Sequence, residues 1–358
     1  MKFKATQKNF STPTLGDLLM KKSLLALAVL GAFAGAAQAQ SAVTIYGSFD
    51  GGVRHVNNAD AAGNSKITMS SNGTYNSNRI GFKGVEDLGG GLNAHFVLET
   101  GFNTGTGAQD GNLFKRSAFV GLGGAWGSLD LGQQYSVNFK TIGMYDPFNY
   151  KYTGIIPLAG QGLLTRLAND IQYTGTFGPI TARAEWALGE QAGSTSNGSA
   201  RAVGVGYSAG PIAAGAAYTK QTAAAAPNLD TTNWTVGGAY SFGAFRVAAG
   251  YARNEADTAA GPSNDRSDAW IGGSYNVTPA AQLSLAYYRT KLDAVAAGAD
   301  ARRNTIILGG TYALSKRTNL YADYDRSTFN NGSPSLWGVQ PAGTGNVSGI
   351  SVGINHLF

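Results

Sequence analysis

From Ala42 onward, apolar side chains recur at every second position over segments of 8–12 residues, and no segment holds a 3.6-residue period. A period of two places alternate residues on opposite faces of a strand. The first such segment sets Val43, Ile45, Gly47, Phe49, Gly51 and Val53 against Thr44, Tyr46, Ser48, Asp50, Gly52 and Arg54. Later apolar faces include Phe119/Gly121, Leu129/Leu131, Trp234/Val236/Gly238/Tyr240/Phe242, Leu283/Leu285/Tyr287 and Ile350/Val352/Ile354. Taken in order, the pattern predicts 16 strands, near positions 48, 81, 96, 118, 131, 170, 184, 205, 215, 238, 249, 271, 286, 308, 322 and 352.

The connections alternate in length. Short turns such as Gly178-Pro179, Ala209-Gly210-Pro211 and Gly243-Ala244 lie between longer Ala/Gly/Asn/Ser/Asp-rich loops at 56–66, 189–200, 220–231, 254–267, 292–302 and 327–345. An even strand number with short turns at one end and long loops at the other is the pattern of an outer-membrane barrel. The predicted fold is therefore an all-β, 16-stranded antiparallel transmembrane β-barrel, closed because open sheet edges cannot be satisfied in lipid. Tyr173, Trp186, Tyr207, Tyr218, Tyr240, Tyr251, Tyr275, Tyr287 and Tyr312 stand near strand ends, as interfacial girdles require. A soluble β-sandwich shares the period, but explains less well why the polar face carries Arg, Glu and Gln. Small outward residues at Gly47, Gly51, Ala214 and Ala216 offer a face for contact between subunits.

Composition sharpens this picture. Of the 358 residues, 13% are charged, 51 are glycine and none is cysteine. Disulfides, thiolate nucleophiles and Cys-ligated metals are thereby excluded. His55, His95 and His356 are scattered, so no metal cluster is expected. The formal charge is +6, but residues 1–39 hold Lys2, Lys4, Lys8, Lys21 and Lys22 against Asp17 and supply +4 of it. The rest of the chain is nearly neutral, and nucleic-acid binding loses its main support. Met20-Lys21-Lys22, the apolar run Leu24–Ala37 and the cleavage motif Ala37-Gln38-Ala39 read as a signal peptide over 20–39. That run is too short to span a bilayer as a helix. Residues 1–19 have no place in this scheme; either the true start is Met20 or the n-region is long. The barrel domain is expected over 40–358.

The chain ends Ile350-Ser351-Val352-Gly353-Ile354-Asn355-His356-Leu357-Phe358, an amphipathic strand closed by an aromatic residue. Together with Ala42-Val43-Thr44-Ile45-Tyr46-Gly47, Asn78-Arg79-Ile80-Gly81-Phe82-Lys83-Gly84-Val85-Glu86-Asp87-Leu88, Leu113–Leu122 and Gly127–Tyr135, this resembles the general diffusion porins of Gram-negative bacteria, β-proteobacterial type. The resemblance implies an outer-membrane, homotrimeric, 16-stranded channel without a cofactor. It implies a terminal Phe358 read by the barrel assembly machinery, and a surround of outer-membrane lipid and lipopolysaccharide. It also implies that the third loop folds into the barrel as a constriction.

Residues of about 136–165 break the alternation, and loops that long are usually functional. Their apolar content (Ile142, Met144, Phe148, Ile155, Ile156, Leu158, Leu163 and Leu164) favours packing inside the wall. Arg79, with Gly81 and Lys83, Arg116, with Ala118, and Arg166, with Ala168 and Asp170, fall at inward phases and match the basic wall of general porins by motif. Asp50 is a further lumen-facing group. Asp146 is the only acid between Tyr135 and Arg166, where Lys140 and Lys151 also lie; Glu99 and Asp130 have inward phases and are expected to pair with wall arginines. Basic rings favour anions, so a mildly anion-selective pore is expected. Two rival functions remain. A substrate-specific channel needs an aromatic ladder, and inward aromatics such as Tyr46 and Tyr321 are too scattered to propose one. A barrel enzyme needs a nucleophile–base pair, and the histidines have no recognisable Ser or Asp companions.

Overall fold

The computed structural model describes residues 42–60, 62–69, 73–152, 165–259, 261, 263–295, 299–330 and 345–358. The expected signal peptide and leader lie outside the described residues. Among the described residues there are seventeen strands: β1 (Ala42–Asn57), β2 (Lys66–Met69), β3 (Arg79–Gly89), β4 (Leu92–Gly101), β5 (Ser117–Gly124), β6 (Gly127–Tyr135), β7 (Arg166–Phe177), β8 (Ile180–Ala187), β9 (Ala200–Ala209), β10 (Ile212–Thr222), β11 (Asp230–Phe242), β12 (Phe245–Ala256), β13 (Asn264–Asn276), β14 (Ala281–Val295), β15 (Ala299–Ala313), β16 (Thr318–Asn330) and β17 (Asn346–Leu357). One short helix, α1 (Val137–Ile142), follows β6.

Sixteen of the strands form the wall. Each pairs antiparallel with its sequence neighbour from β3 to β17, and β1 closes the sheet by pairing with both β17 and β3. The sixteenth β-pair leaves no sheet edge, which is what lipid demands. The closing seam is narrow: the N–H of Gly47 donates to the carbonyl of Phe358 at 3.1 Å. A Cβ on Gly47 would lie 2.3 Å from the Phe358 ring, so only glycine lets the terminal aromatic lie across β1. The extra strand, β2, adds to the upper half of β1 between Val53 and Val56. It lies at the edge of what was expected to be a loop over 56–66. Strands β14 and β15 likewise extend into the expected loop 292–302, to Val295 and from Ala299, and Lys291 there ties Asp293 at 2.5 Å and Asp300 at 2.9 Å.

The outward phase is apolar along most of the wall. Val43, Ile45, Val205, Val236, Leu285, Leu308 and Val352 are exposed. Two aromatic belts bound this band. Tyr207, Tyr240, Phe242, Phe245, Tyr275 and Tyr312 lie toward the short turns, and Trp186, Tyr218, Trp234 and Tyr287 toward the long loops. In β5 the expected phase is inverted. Val120 and Leu122 face out, while Gly121 lies beside His95 and Asp130 inside. Ala118-Phe119-Val120-Gly121 is apolar on both faces, so the period carried no signal there, and a one-residue shift exchanges every side chain between faces.

The interior contains a core of its own. Ile142, Tyr145, Phe148 and Tyr152, from the segment after β6, pack against Ala239, Ala248, Trp270, Ala286, Tyr288, Ile307 and Tyr321 of the wall. The third loop is folded into the barrel, as expected. Part of the wall beneath it is apolar, where it meets the loop's side chains and not water. Ile142 and Phe148 take part as their composition suggested; Ile155, Ile156, Leu158, Leu163 and Leu164 lie outside the described residues.

Candidate channel constriction

Hydrogen bonds hold the loop in place. Ser136 caps α1 by accepting the Phe139 N–H at 3.2 Å, and the Glu185 carboxylate of β8 accepts the Val137 N–H at 2.9 Å. These satisfy donors that a helix start otherwise leaves open. Asn138 donates to Asn233 at 2.7 Å and accepts from Thr219 at 2.8 Å. Trp270 donates its indole N–H to the Tyr145 carbonyl at 3.2 Å, and Arg246 donates to the carbonyls of Met144 at 3.0 Å and Asp146 at 3.1 Å.

Asp146 belongs to this fastening and does not face the arginines. It is fully buried, accepting the N–H groups of Phe148 at 3.0 Å and Tyr150 at 2.9 Å and the hydroxyl of Tyr288 at 3.1 Å. Burial pushes its carboxyl up to about 6, against the pull of these donors. Lys140, on α1, donates to Gln172 of β7 and stands near Asp170 and Glu185; burial draws its ammonium below the usual lysine range. Asp50 points inward but is also fully buried, under the segment that precedes β3. It accepts the N–H groups of Thr74 at 3.0 Å and Asn76 at 3.1 Å and the Tyr321 hydroxyl at 2.9 Å.

The three arginines converge around Glu99 and Tyr135. Arg116 Nε lies 2.7 Å from Glu99 Oε1, and Arg79 Nε lies 3.8 Å from Glu99 Oε2. Both Arg116 and Arg166 donate to the Tyr135 hydroxyl at 2.7 Å, and the Arg166 guanidinium also lies 4.3 Å from the Tyr135 ring centre. Tyr46 completes the group by donating to Glu99 Oε2 at 3.0 Å, and Lys83 Nζ stands 5.4 Å from the centre of the Tyr46 ring. From the loop, Lys151 lies 5.4 Å above the Tyr75 ring; burial, followed by the nearby Arg79 charge, draws it down to about 8. Five cations thus share this side of the lumen, with Glu99 ion-paired to two of them, Arg116 and Arg79.

Two of these placements depart from simple alternation. Arg116 precedes the first residue of β5, and its side chain is buried between Glu99 and Tyr135 while Ala118 faces away. Arg166 opens β7, whose register shifts opposite Gly132/Gln134. Asn169 there has a φ of +54°, and Leu167 and Asp170 are both buried while Ala168 is exposed. The bulge adds a residue and resets the phase.

Asp130 does not pair with an arginine. Its Oδ1 lies 2.7 Å from His95 Nε2, across Gly121, where a Cβ would meet Asp130 at 2.2 Å. This corrects the expectation that His95 has no acidic companion. Ser128 is 3.4 Å from the same carboxylate rather than from the imidazole, so no serine–base contact exists there. Further inward charges complete the lumen: Arg54 pairs with Asp325 at 2.6 Å, and Arg266 with Asp268 at 3.1 Å. Strand phase alone marks Arg54 as inward. Tyr135 and Glu185 as organisers of the site carry no sequence signal, since each acts through a partner more than 15 positions away.

A closed sixteen-stranded barrel, apolar outside, charged inside and narrowed by an infolded loop, defines a water-filled membrane channel. The chain belongs to the Gram-negative porin family, whose model matches residues 26–332. It is 34% identical over 362 residues to outer membrane porin protein 32 of Delftia acidovorans, covering 95% of this chain and 100% of that one. Over 144 residues it is 47% identical to an outer membrane porin of Bordetella pertussis, 36% of this chain and 37% of the relative. Among solved structures it resembles the anion-selective porin from Comamonas acidovorans, with a TM-score of 0.78 and 28% identity over 89% of this chain and 100% of that one. The protein is an outer-membrane porin, a channel and not an enzyme.

Proposed function

We propose that this porin prefers anions, mildly, and that it works as a homotrimer. The observation that carries the preference is the grouping of Arg79, Arg116 and Arg166 around Glu99 and Tyr135, with Lys83 over Tyr46 and Lys151 over Tyr75. A passing anion meets a row of fixed cations that stand in for part of its hydration, while a cation is repelled from the same wall. The preference is mild because the lumen is wet and exposed charges are screened over about 8 Å at physiological salt. Asp130, Asp146, Asp50 and Lys140 lie off this path and shape it by fastening the wall and loop. The Comamonas protein that this chain resembles, an anion-selective porin, supports the same reading.

Reversal potential of the purified protein in a planar bilayer, under a KCl gradient, tests the reading. A potential on the chloride side is expected; a clear potassium preference would sink it. The Tyr135–Phe139–Tyr150 stack, with centroids 4.6 and 4.2 Å apart beside Arg166, favours a second reading as a channel for one solute class. Saturable block of the current by that solute would support it. Trimer formation rests on the family, and cross-linking in native membranes tests it. The proposal also includes a signal peptide cleaved after Ala39, Phe358 as assembly signal, and lipopolysaccharide as the lipid partner; N-terminal sequencing of the mature chain checks the first.

A further inference from the structure

Between the tip of the infolded loop and the wall lies a polar cavity of about 110 Å³, lined by neither Glu99 nor the three eyelet arginines. Its floor is one row of the sheet. Arg246 of β12 lies opposite Ser274 of β13, and Ser274 lies opposite Ser284 of β14. These three inward residues stand on adjacent strands, roughly 4.8 Å apart. The row continues to Gly309 of β15, where a Cβ would meet the Tyr152 ring at 2.5 Å. Only glycine lets that ring close the cavity on this side. Phe148, Asn149 and Lys151 of the loop form the roof. To bring Lys151 there the chain turns tightly: Asn149, Tyr150 and Tyr152 have φ of +49°, +60° and +56°. Side chains rarely adopt that conformation, and backbone held in it clusters at ligand clamps and other functional sites.

The lining is rich in donors and holds no carboxylate. Among the described residues, neither Arg246 nor Lys151 has a carboxylate within ion-pair distance. Asp146 lies near Arg246 and Asp50 near Lys151, but both acids are turned to other donors. Asp146 accepts from Phe148, Tyr150 and Tyr288, and Asp50 from Thr74, Asn76 and Tyr321. Arg246 donates from its two Nη atoms to the carbonyls of Met144, Asp146 and Pro147, which leaves its Nε–H open. Lys151 donates to no acceptor among the described residues and rests over the Tyr75 ring. Two cations that share an enclosed polar space repel each other unless an anion or water stands between them. Water occupies about 30 Å³ in the liquid, so the cavity takes one tetrahedral oxyanion with roughly one or two waters. A divalent oxyanion matches the two cations in charge, and its four oxygens meet donors from floor and roof; a halide offers neither.

We propose that this cavity binds a small tetrahedral oxyanion, phosphate or sulfate, which bridges Lys151 of the loop to Arg246, Ser274 and Ser284 of the wall. The floor lies close to the short turns, which face the periplasm, so the ion is held on the periplasmic side of the loop. The site rests on the anion-preferring reading only through Lys151, and equilibrium binding is measured apart from permeability. The test follows the phosphorus NMR linewidth of inorganic phosphate as the full-length porin in detergent is added at constant ionic strength. Saturable broadening is expected, reversed by sulfate and not by the same concentration of nitrate. Ser284→Val replaces the hydroxyl with a methyl group and suits a strand. Its half-saturation should rise at least about tenfold, the loss of one hydrogen bond to a charged group, with the KCl reversal potential unchanged. Undiminished binding by Ser284→Val overturns the proposal, as does the lack of saturable binding by the wild type. Arg116→Ala should bind phosphate as the wild type does; loss there places the ion among the eyelet arginines and equally overturns it. If Ser284→Val fails to fold, Ser274→Val probes the same row by the same criteria. A wild type that binds phosphate yet prefers potassium would refute the selectivity reading and uphold this site.

Discussion

Glu99 is bracketed by Arg116 and Arg79, and this pairing decides what single substitutions will do. Arg116→Ala removes one fixed cation and leaves Glu99 with the more distant arginine. A unit charge about 6 Å from the ion path in water is worth about 0.7 kcal/mol. The chloride-to-potassium permeability ratio should therefore fall by about threefold or less, with trimer assembly intact. An unchanged ratio would remove Arg116 from the constriction. Lys151 is expected to give the pore a pH dependence. Its ammonium is drawn down to about 8, so it is charged below that pH and neutral above. Anion preference should weaken as pH rises from 7 to 9, and Lys151→Met should abolish that slope. A slope that persists in the variant assigns the titration elsewhere.

At the scale of elements, the infolded loop depends on Asp146, although sequence alone made it the acid of the eyelet. Asp146→Ala leaves the N–H groups of Phe148 and Tyr150 without their acceptor, each worth about 1–3 kcal/mol when buried. The sixteen-stranded wall does not need that bond. The variant should still fold, but show larger and noisier single-channel currents; steady wild-type currents would mean the loop is held elsewhere. The final strand offers a complementary case. The Phe358 ring lies across Gly47, and in lipid such contacts hold by close packing rather than by exclusion of water. Gly47→Val should lower the temperature at which the barrel unfolds in detergent, because its side chain displaces the ring from the seam. Strand order, strand count and the lipid-facing phase were legible wherever one face was apolar and the other was not. They failed at β5, where both faces are apolar, and at β7, where a bulge at Asn169 resets the phase.

At the scale of the whole molecule, a charge on the outer face costs more than the same charge within. Leu308 is exposed on β15 between Tyr312 and Arg302. Leu308→Arg should destabilise the barrel by about 2–4 kcal/mol if it lies near the bilayer midplane. Reversible unfolding in vesicles would measure this, and a cost near zero would place Leu308 at an interface instead. The sequence by itself determined the cylinder. Alternation, turn length and even strand number follow from the requirement that each strand show one face to lipid and the other to water, and that requirement is local to each strand. Only the tertiary structure decided the pore chemistry. Closure brings Arg79, Arg116 and Arg166 from three separate stretches of chain to one carboxylate and one tyrosine, moves Asp146 away from them into a buried fastening, and joins His95 to Asp130. Those contacts depend on which strand lies beside which and how far a side chain reaches across the lumen, and the period of a strand records neither.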